Sequence, residues 1–148
     1  MALTLDHVSV RRGGRAIVDR LDLDLRAGEM LAVVGPNGAG KSTALAVAAG
    51  ITRPDAGGVA LDGCSLSEQG MRALARRRAV LPQSSDLAFP FRVHEVVALG
   101  RAPHRGFSTR QDDAGIVDAM LDRFALKHLA GRDVVTLSGG ERQRVGLA

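Results

Sequence analysis

The chain has 148 residues, 45% of them hydrophobic, and a net charge of +4, enough apolar mass for one core and no sign of a second independent domain. With 18 glycines, four phenylalanines and neither Trp nor Tyr, that core has to be built from Val, Leu and Ala, which suits an α/β sheet with covering helices. The longest apolar runs, 44–49 and 96–99, fall far short of the ~20 residues that span a bilayer, and the start, Met1-Ala2-Leu3-Thr4-Leu5-Asp6, has no basic region before a long apolar stretch.

Neither a membrane span nor a secretory signal is therefore expected. The single cysteine, Cys64, has no partner for an internal disulfide or a metal, in keeping with a reducing compartment and a small loop or strand residue. Excess positive charge raises the question of nucleic acid, but the arginines are dispersed. The one dense group, Arg72 and Arg76-Arg77-Arg78, lacks interleaved aromatics and reads as a solvated helix end, so no nucleic-acid partner is expected.

In chain order, Leu3-Leu5, Val8-Val10 and Leu21-Leu23-Leu25 alternate apolar with polar residues, the period of half-buried strands, and Arg12-Gly13-Gly14-Arg15 is the turn between them. Ala27-Gly28-Glu29 leads into Met30-Leu31-Ala32-Val33-Val34, expected as a buried strand. A helix is expected from Lys41 to a C-cap at Gly50, then a loop over 52–58. Val59-Ala60-Leu61 predicts a short strand ending in an Asp62-Gly63 turn, 67–77 a helix, and 79–82 a strand. Pro90 and Pro103 bracket a short helix over 93–100. Residues 112–124 form an amphipathic helix with Ile116, Met120, Leu121 and Phe124 on one face.

The chemistry sits first in Gly35-Pro36-Asn37-Gly38-Ala39-Gly40-Lys41-Ser42, a complete G-x-x-x-x-G-K-[ST] phosphate loop placed between an apolar run and a helix. Its glycines let successive backbone N–H groups curl toward phosphate oxygens, and the helix start aims its positive dipole end at the same anion. Lys41 supplies a point charge for the β- and γ-phosphates, Ser42 a hydroxyl for Mg²⁺, and Thr43 a further hydrogen bond. Such loops serve kinases, GTPases, helicases and transport ATPases alike.

The second motif is Leu137-Ser138-Gly139-Gly140-Glu141-Arg142-Gln143-Arg144. Ser138-x-x-Glu141 is a capping box, so a helix should begin here and present its free N–H groups as a second anion cradle. A head-to-tail pair of chains could close each cradle over the nucleotide held by the other chain's Lys41.

Together these residues resemble the ATP-binding-cassette family, whose ATPase domains carry a phosphate loop, a glutamine loop and an LSGGQ-type signature in this order. The resemblance implies an α/β phosphate-loop NTPase fold of the ABC ATPase kind, a RecA-like core with an antiparallel β part and an α-helical subdomain at about 84–137. It also implies ATP and Mg²⁺ as cofactors, with Gln83 as the glutamine that reaches Mg²⁺ and the attacking water. Ser138, Gly139, Gly140 and Glu141 would contact the nucleotide in trans. Glu141 stands where the signature often has Gln, and Arg12 stands where an aromatic usually stacks on adenine.

The stretch 76–104, from Arg76-Arg77-Arg78-Ala79-Val80-Leu81-Pro82-Gln83 through Val93-His94-Glu95 to Pro103-His104, is similar to the ATPases of bacterial hemin importers, with ferric-siderophore and cobalamin importers close by. That similarity implies permease subunits gripped around 84–105 and a second ATPase subunit. It further implies a periplasmic hemin-binding protein as an indirect partner, and a peripheral place on the cytoplasmic face of the inner membrane. His7, His94, His104 and His128 are scattered and read as surface or packing residues, not hemin ligands.

In the family, the strand ending in the Mg²⁺-binding aspartate, the glutamate that polarises water and the switch histidine all follow the signature. The resemblance therefore implies an incomplete ATPase domain, with no sustained turnover expected from residues 1–148 alone and apolar sheet edges left exposed. A small-molecule kinase, a soluble ABC protein acting on ribosomes or DNA, and a non-catalytic nucleotide-binding protein are the alternatives from other classes.

Overall fold

In the computed structural model, which describes residues 2–82 and 90–148, the chain divides into two units, Met1–Leu74 and Ala75–Ala148, each with its own apolar core.

The first unit is built on an antiparallel sheet of four strands in the order β2-β1-β3-β4, formed by β1 (Leu3–Arg12), β2 (Arg15–Leu25), β3 (Ala56–Leu61) and β4 (Cys64–Ser65). Both tight hairpins use two residues at positive φ, Gly13 and Gly14 at 56° and 78°, and Asp62 and Gly63 at 52° and 75°. That is the turn whose twist matches its flanking strands.

β1 carries a phase shift that explains its sequence. Leu3 and Leu5 are odd-numbered while Val8 and Val10 are even, so an unbroken strand would send the two pairs to opposite faces. A bulge resolves the conflict, with Asp6 and His7 facing the single residue Asp22, and His7 at φ 47°. Its N–H donates to Asp22 Oδ1 at 2.6 Å. A second bulge at Arg20, φ 48°, does the same for β2, its N–H donating to Ser9 Oγ at 2.9 Å. Leu5, Val8, Val10 and Val18 consequently all enter one core with Val59 and Leu61.

Helix α1 (Lys41–Ala48) lays Val47 on that core. It ends in a paired-bond stop in which Gly50 N–H donates to Val47 O and Ile51 N–H to Ala46 O, both at 2.8 Å, with Gly50 at φ 64°. The helix expected over 67–77 forms only in part. It resolves into a 3₁₀ turn, Leu66–Glu68, and α2 (Met71–Ala75), separated at Gln69-Gly70, with Leu66 and Leu74 as the buried anchors.

Two expected strands are not formed. Residues 30–34 and 79–82 have no strand geometry, and Met30 and Val34 are 96% and 86% exposed. A parallel strand is held by neighbours far away in sequence and buried on both faces. Among the described residues none pairs with either stretch, and the sheet is wholly antiparallel. The apolar runs are thus left in solvent, as expected of unpaired sheet members.

The second unit is helical, with α3 (Val93–Leu99), α4 (Arg110–Arg123) and α5 (Gly139–Leu147), a 3₁₀ turn lying between the first two and two further 3₁₀ turns, Lys127–Leu129 and Val134–Thr136, between α4 and α5. Val93, Val97, Leu121, Leu126, Leu129, Val134, Leu137 and Val145 make its core. The segment leading into α3 is tied to 130–134 by Val93 N–H to Arg132 O, His94 N–H to Ala130 O and Val134 N–H to Phe91 O, at 2.9–3.1 Å. The first two of these bonds satisfy donors that the first turn of α3 would otherwise leave free. α4 starts two residues before the expected 112, because Thr109 and Asp112 form a capping box. Its buried side runs through Val117 and Leu121, with Met120 and Phe124 half-buried, whereas Ile116 faces solvent.

Candidate functional site

The phosphate loop closes on its own lysine. Lys41 Nζ donates to the carbonyl oxygens of Gly35 and Pro36, both at 2.7 Å, so 35–41 forms a ring around the ammonium group. Gly38 and Gly40 hold φ of 83° and 84°, values that let the loop curl and that side chains other than glycine rarely adopt. Gly40 is required for a second reason, since a Cβ there would lie 2.4 Å from Ile17 O on β2.

The start of α1 is unlike those of α3, α4 and α5. Its N-cap, Gly40, provides no side-chain cap, and its first turn contains no acidic residue. The N–H groups of Lys41, Ser42 and Thr43 have no intrahelical acceptors, so neither the cap nor the first turn neutralises the positive end of the helix dipole. In α3, α4 and α5 that end carries Glu95, Asp112 with Asp113, and Glu141 respectively. Ser42 is exposed, and its hydroxyl has no hydrogen-bond partner among the described residues. The ring of 35–41 and the first turn of α1 together make a positively charged set of donors suited to a polyphosphate.

The capping box at 138–141 is formed as its sequence indicates. Ser138 is the N-cap of α5, with its N–H and hydroxyl donating to Glu141 Oε2 at 2.8 and 2.7 Å. Glu141 N–H is 3.4 Å from Ser138 Oγ, closing the reciprocal pair. These bonds from Ser138 hold the Glu141 carboxyl below its ordinary range. Added Cβ atoms at Gly139 and Gly140 would meet open space, so the face of this turn is accessible. The phosphate loop belongs to the first unit and the 138–141 turn to the second.

Of the remaining expected residues, Gln83 lies outside the described residues. Arg12 is exposed and donates through Nη1 to Arg11 O at 3.2 Å. Cys64 is an exposed, free thiol in β4. Of the arginine cluster, Arg72 lies on α2 and Arg76 and Arg77 after it are exposed, with the Arg76 guanidinium 4.1 Å from the centre of the Phe107 ring, whereas Arg78 is half-buried and its Nε is enclosed. His94 Nδ1 donates to Ala130 O at 3.0 Å, and His7 Nδ1 lies 2.6 Å from Asp6 Oδ1, so both have structural partners. Sequence reasoning missed the Arg101 and Ser108 bonds to Asp113, each 2.8 Å, which hold that carboxyl below its ordinary range. The signal was present in the spacing but has meaning only once the 3₁₀ turn Ala102–His104 folds the segment back.

The family model for ABC transporters matches residues 18–148. The hemin import ATP-binding protein HmuV of Pseudomonas aeruginosa is 51% identical over 146 residues, covering 99% of this chain and 56% of the relative. HmuV of Nocardia farcinica is 50% identical over 142 residues, covering 93% and 49%. The chain thus spans about half the length of the curated relatives it matches.

Among solved structures, a metal-chelate type ABC transporter in an inward-facing conformation superposes with a TM-score of 0.74 at 29% identity, over 99% of this chain and 53% of that one. A bacterial ABC transporter cassette solved as a dimer superposes with a TM-score of 0.80 at 25% identity, over 97% and 66%.

Proposed function

The chain belongs to the ABC transporter family, and from that premise we propose that it is the nucleotide-binding part of an importer ATPase that couples ATP hydrolysis to hemin uptake across the inner membrane. The observation that carries the reading is the ring of 35–41 closed on Lys41 beside a helix start with no internal cap or acid. When ATP binds, Lys41 Nζ exchanges the Gly35 and Pro36 carbonyls for β- and γ-phosphate oxygens. Backbone N–H groups from Asn37, Gly38, Ala39 and Gly40 to Thr43 hold the remaining charge.

The unpartnered Ser42 hydroxyl is a hard oxygen donor beside the phosphates, which fits Mg²⁺; the ion, when bound, neutralises charge as the γ-phosphoryl is transferred to water. Gln83 is assigned to the metal and the attacking water. The turn at Ser138, Gly139, Gly140 and Glu141 is assigned to the nucleotide of a second subunit arranged head-to-tail, in keeping with the dimeric cassette to which this fold is similar.

In the same reading, 84–137 is the helical subdomain and 84–105 meets the permease. The complex lies peripherally on the cytoplasmic face of the inner membrane, supplied by a periplasmic hemin-binding protein. Hemin is favoured as cargo by the two relatives near 50% identity. The metal-chelate type transporter at lower identity supports a second reading in which another chelate, a ferric siderophore or cobalamin, is carried.

The test is growth of a strain whose chromosomal copy carries Lys41→Ala, on hemin, on ferric siderophore and in cobalamin-dependent medium. Loss on hemin alone is expected. Loss on siderophore or cobalamin alone would move the cargo, and growth equal to the parent on all three would refute an importer role.

A further inference from the structure

The bulge that restores the phase of β1 also sets two neighbouring side chains toward one point. In a regular strand Asp6 and His7 would project to opposite faces. Here both meet Asp22 of β2, with His7 Nδ1 2.6 Å from Asp6 Oδ1 and 3.4 Å from Asp22 Oδ1. One ligand atom from each of the three residues lies within 4.8 Å of the other two, and all three side chains are exposed.

The charge around this point calls for a cation. The chain has 20 Lys and Arg against 16 Asp and Glu, yet among the described residues no Lys or Arg forms an ion pair with Asp6 or Asp22. The two carboxylates are left to a single imidazole. Asp24, paired with Thr4 two residues along β2, adds a further exposed carboxylate. Arg20 is the opposing charge, and its guanidinium pairs with neither Asp6 nor Asp22.

An imidazole nitrogen with two carboxylate oxygens is a donor set for a divalent first-row transition-metal ion, Zn²⁺ above all, whereas Mg²⁺ keeps to oxygen ligands and its own water. Ligand atoms in a tetrahedron around Zn²⁺ stand about 3.4 Å from one another. His7 Nδ1 and Asp22 Oδ1 already have that separation. The closer approach to Asp6 has to open by less than about 1 Å, which an exposed carboxylate does by turning about its side-chain bonds. Asp22 Oδ1 also accepts the His7 N–H at 2.6 Å, a bond that orients the carboxylate and leaves it further lone pairs for a metal.

We propose that Asp6, His7 and Asp22 form a site for one divalent transition-metal ion of the Zn²⁺ kind, which ties β1 to β2 across the bulge. The site is separate from the Mg²⁺ assigned to Ser42 and stands whether or not the chain serves an importer. Water completes the coordination, since the three side chains face solvent.

The experiment titrates Zn²⁺ into the full-length protein, stripped with EDTA and free of nucleotide, by isothermal titration calorimetry. Wild type is compared with Asp6→Asn, His7→Asn and Asp22→Asn. Asn at 22 keeps an acceptor for the His7 N–H, and Asn at 7 tolerates the φ of 47°. Mg-ATP affinity and the unfolding midpoint in EDTA serve as folding controls. Wild type is expected to bind Zn²⁺ with a dissociation constant below about 100 µM, each variant to weaken that binding about 10-fold or more, and Mn²⁺ to broaden the amide signals of 5–8 and 21–23 even in excess Mg²⁺.

Zn²⁺ affinity within about 2-fold of wild type in all three variants overturns the proposal. So does broadening centred instead on Cys64 or on His94, His104 and His128, and so does the absence of binding at about 1 mM Zn²⁺, which would leave the three residues as a solvated surface cluster.

Discussion

The hydroxyl of Ser138 donates to the carboxylate of Glu141 at 2.7 Å, and the serine's own N–H donates to the same oxygen at 2.8 Å. One acidic side chain thus occupies both donors of the residue that caps α5 and places its negative charge on the end of the helix that would otherwise attract an anion. Glu141→Gln keeps an acceptor oxygen for Ser138 and removes that charge. We expect this variant to tighten ATP-driven association of two subunits by about 3- to 10-fold, read by light scattering or size-exclusion chromatography of a hydrolysis-blocked complex. Ser138→Ala should cost about 1 kcal/mol in thermal or denaturant unfolding.

Two titrations should move in opposite directions. Bonds from Ser138 lower the Glu141 carboxyl from its ordinary value of 4.5, so its contribution is complete above 4.5 and is lost only as pH falls through the lower folded value. The bond to Asp6 and the nearby Asp22 charge raise the His7 imidazole from 6.5, so its contribution is complete below 6.5 and is lost as pH rises through the higher folded value. NMR titration of the two side chains checks both signs, and Asp6→Asn should return His7 toward 6.5.

Gly40→Ala should be severe. The added Cβ would lie 2.4 Å from Ile17 O, and φ of 84° is strained for any L side chain. The backbone cost alone is about 1–2 kcal/mol, and relief of the overlap must pull the loop from β2. Lower thermal stability together with weaker nucleotide binding is expected, whereas Gly139→Ala, which meets open space, should change stability far less.

At the end of α4 the opposite change is available. Ala125 sits at φ 52° after the last helical turn, with its N–H bonded to Asp122 O and Leu126 N–H bonded to Leu121 O at 2.7 Å. This is a stop that normally uses glycine. Ala125→Gly should stabilise the second unit by up to about 1 kcal/mol, measured as a rise in its unfolding midpoint.

What was legible in the sequence was what neighbours along the chain decide. The Gly13-Gly14 and Asp62-Gly63 turns, the Gly50 stop and the Ser138 and Glu141 pair each involve residues within a few positions of one another, and each is formed. The strands expected at 30–34 and 79–82 depend on partners remote in sequence, and apolar character alone did not supply them. The bulge at His7 is an intermediate case. The change of phase between Leu5 and Val8 was visible, but its meaning required Asp22 and Gly57 on the flanking strands. In α4, Ile116 matched the helical period and still faces solvent, because the core of the second unit lies against Val117 and Leu121 instead. At the site, the phosphate loop was readable from its motif, while the Arg101 and Ser108 bonds to Asp113 need the 3₁₀ turn Ala102–His104 to fold the segment back before they exist.

The most direct measurement is the affinity of the intact protein for Mg-ATP by isothermal titration calorimetry, with and without Lys41→Ala. Removing an ammonium that replaces two 2.7 Å carbonyl contacts with phosphate contacts should weaken binding by about 10- to 100-fold while leaving the fold intact. Equal affinity in the two proteins, or no binding by wild type, would contradict the assignment of the 35–43 loop as the nucleotide site.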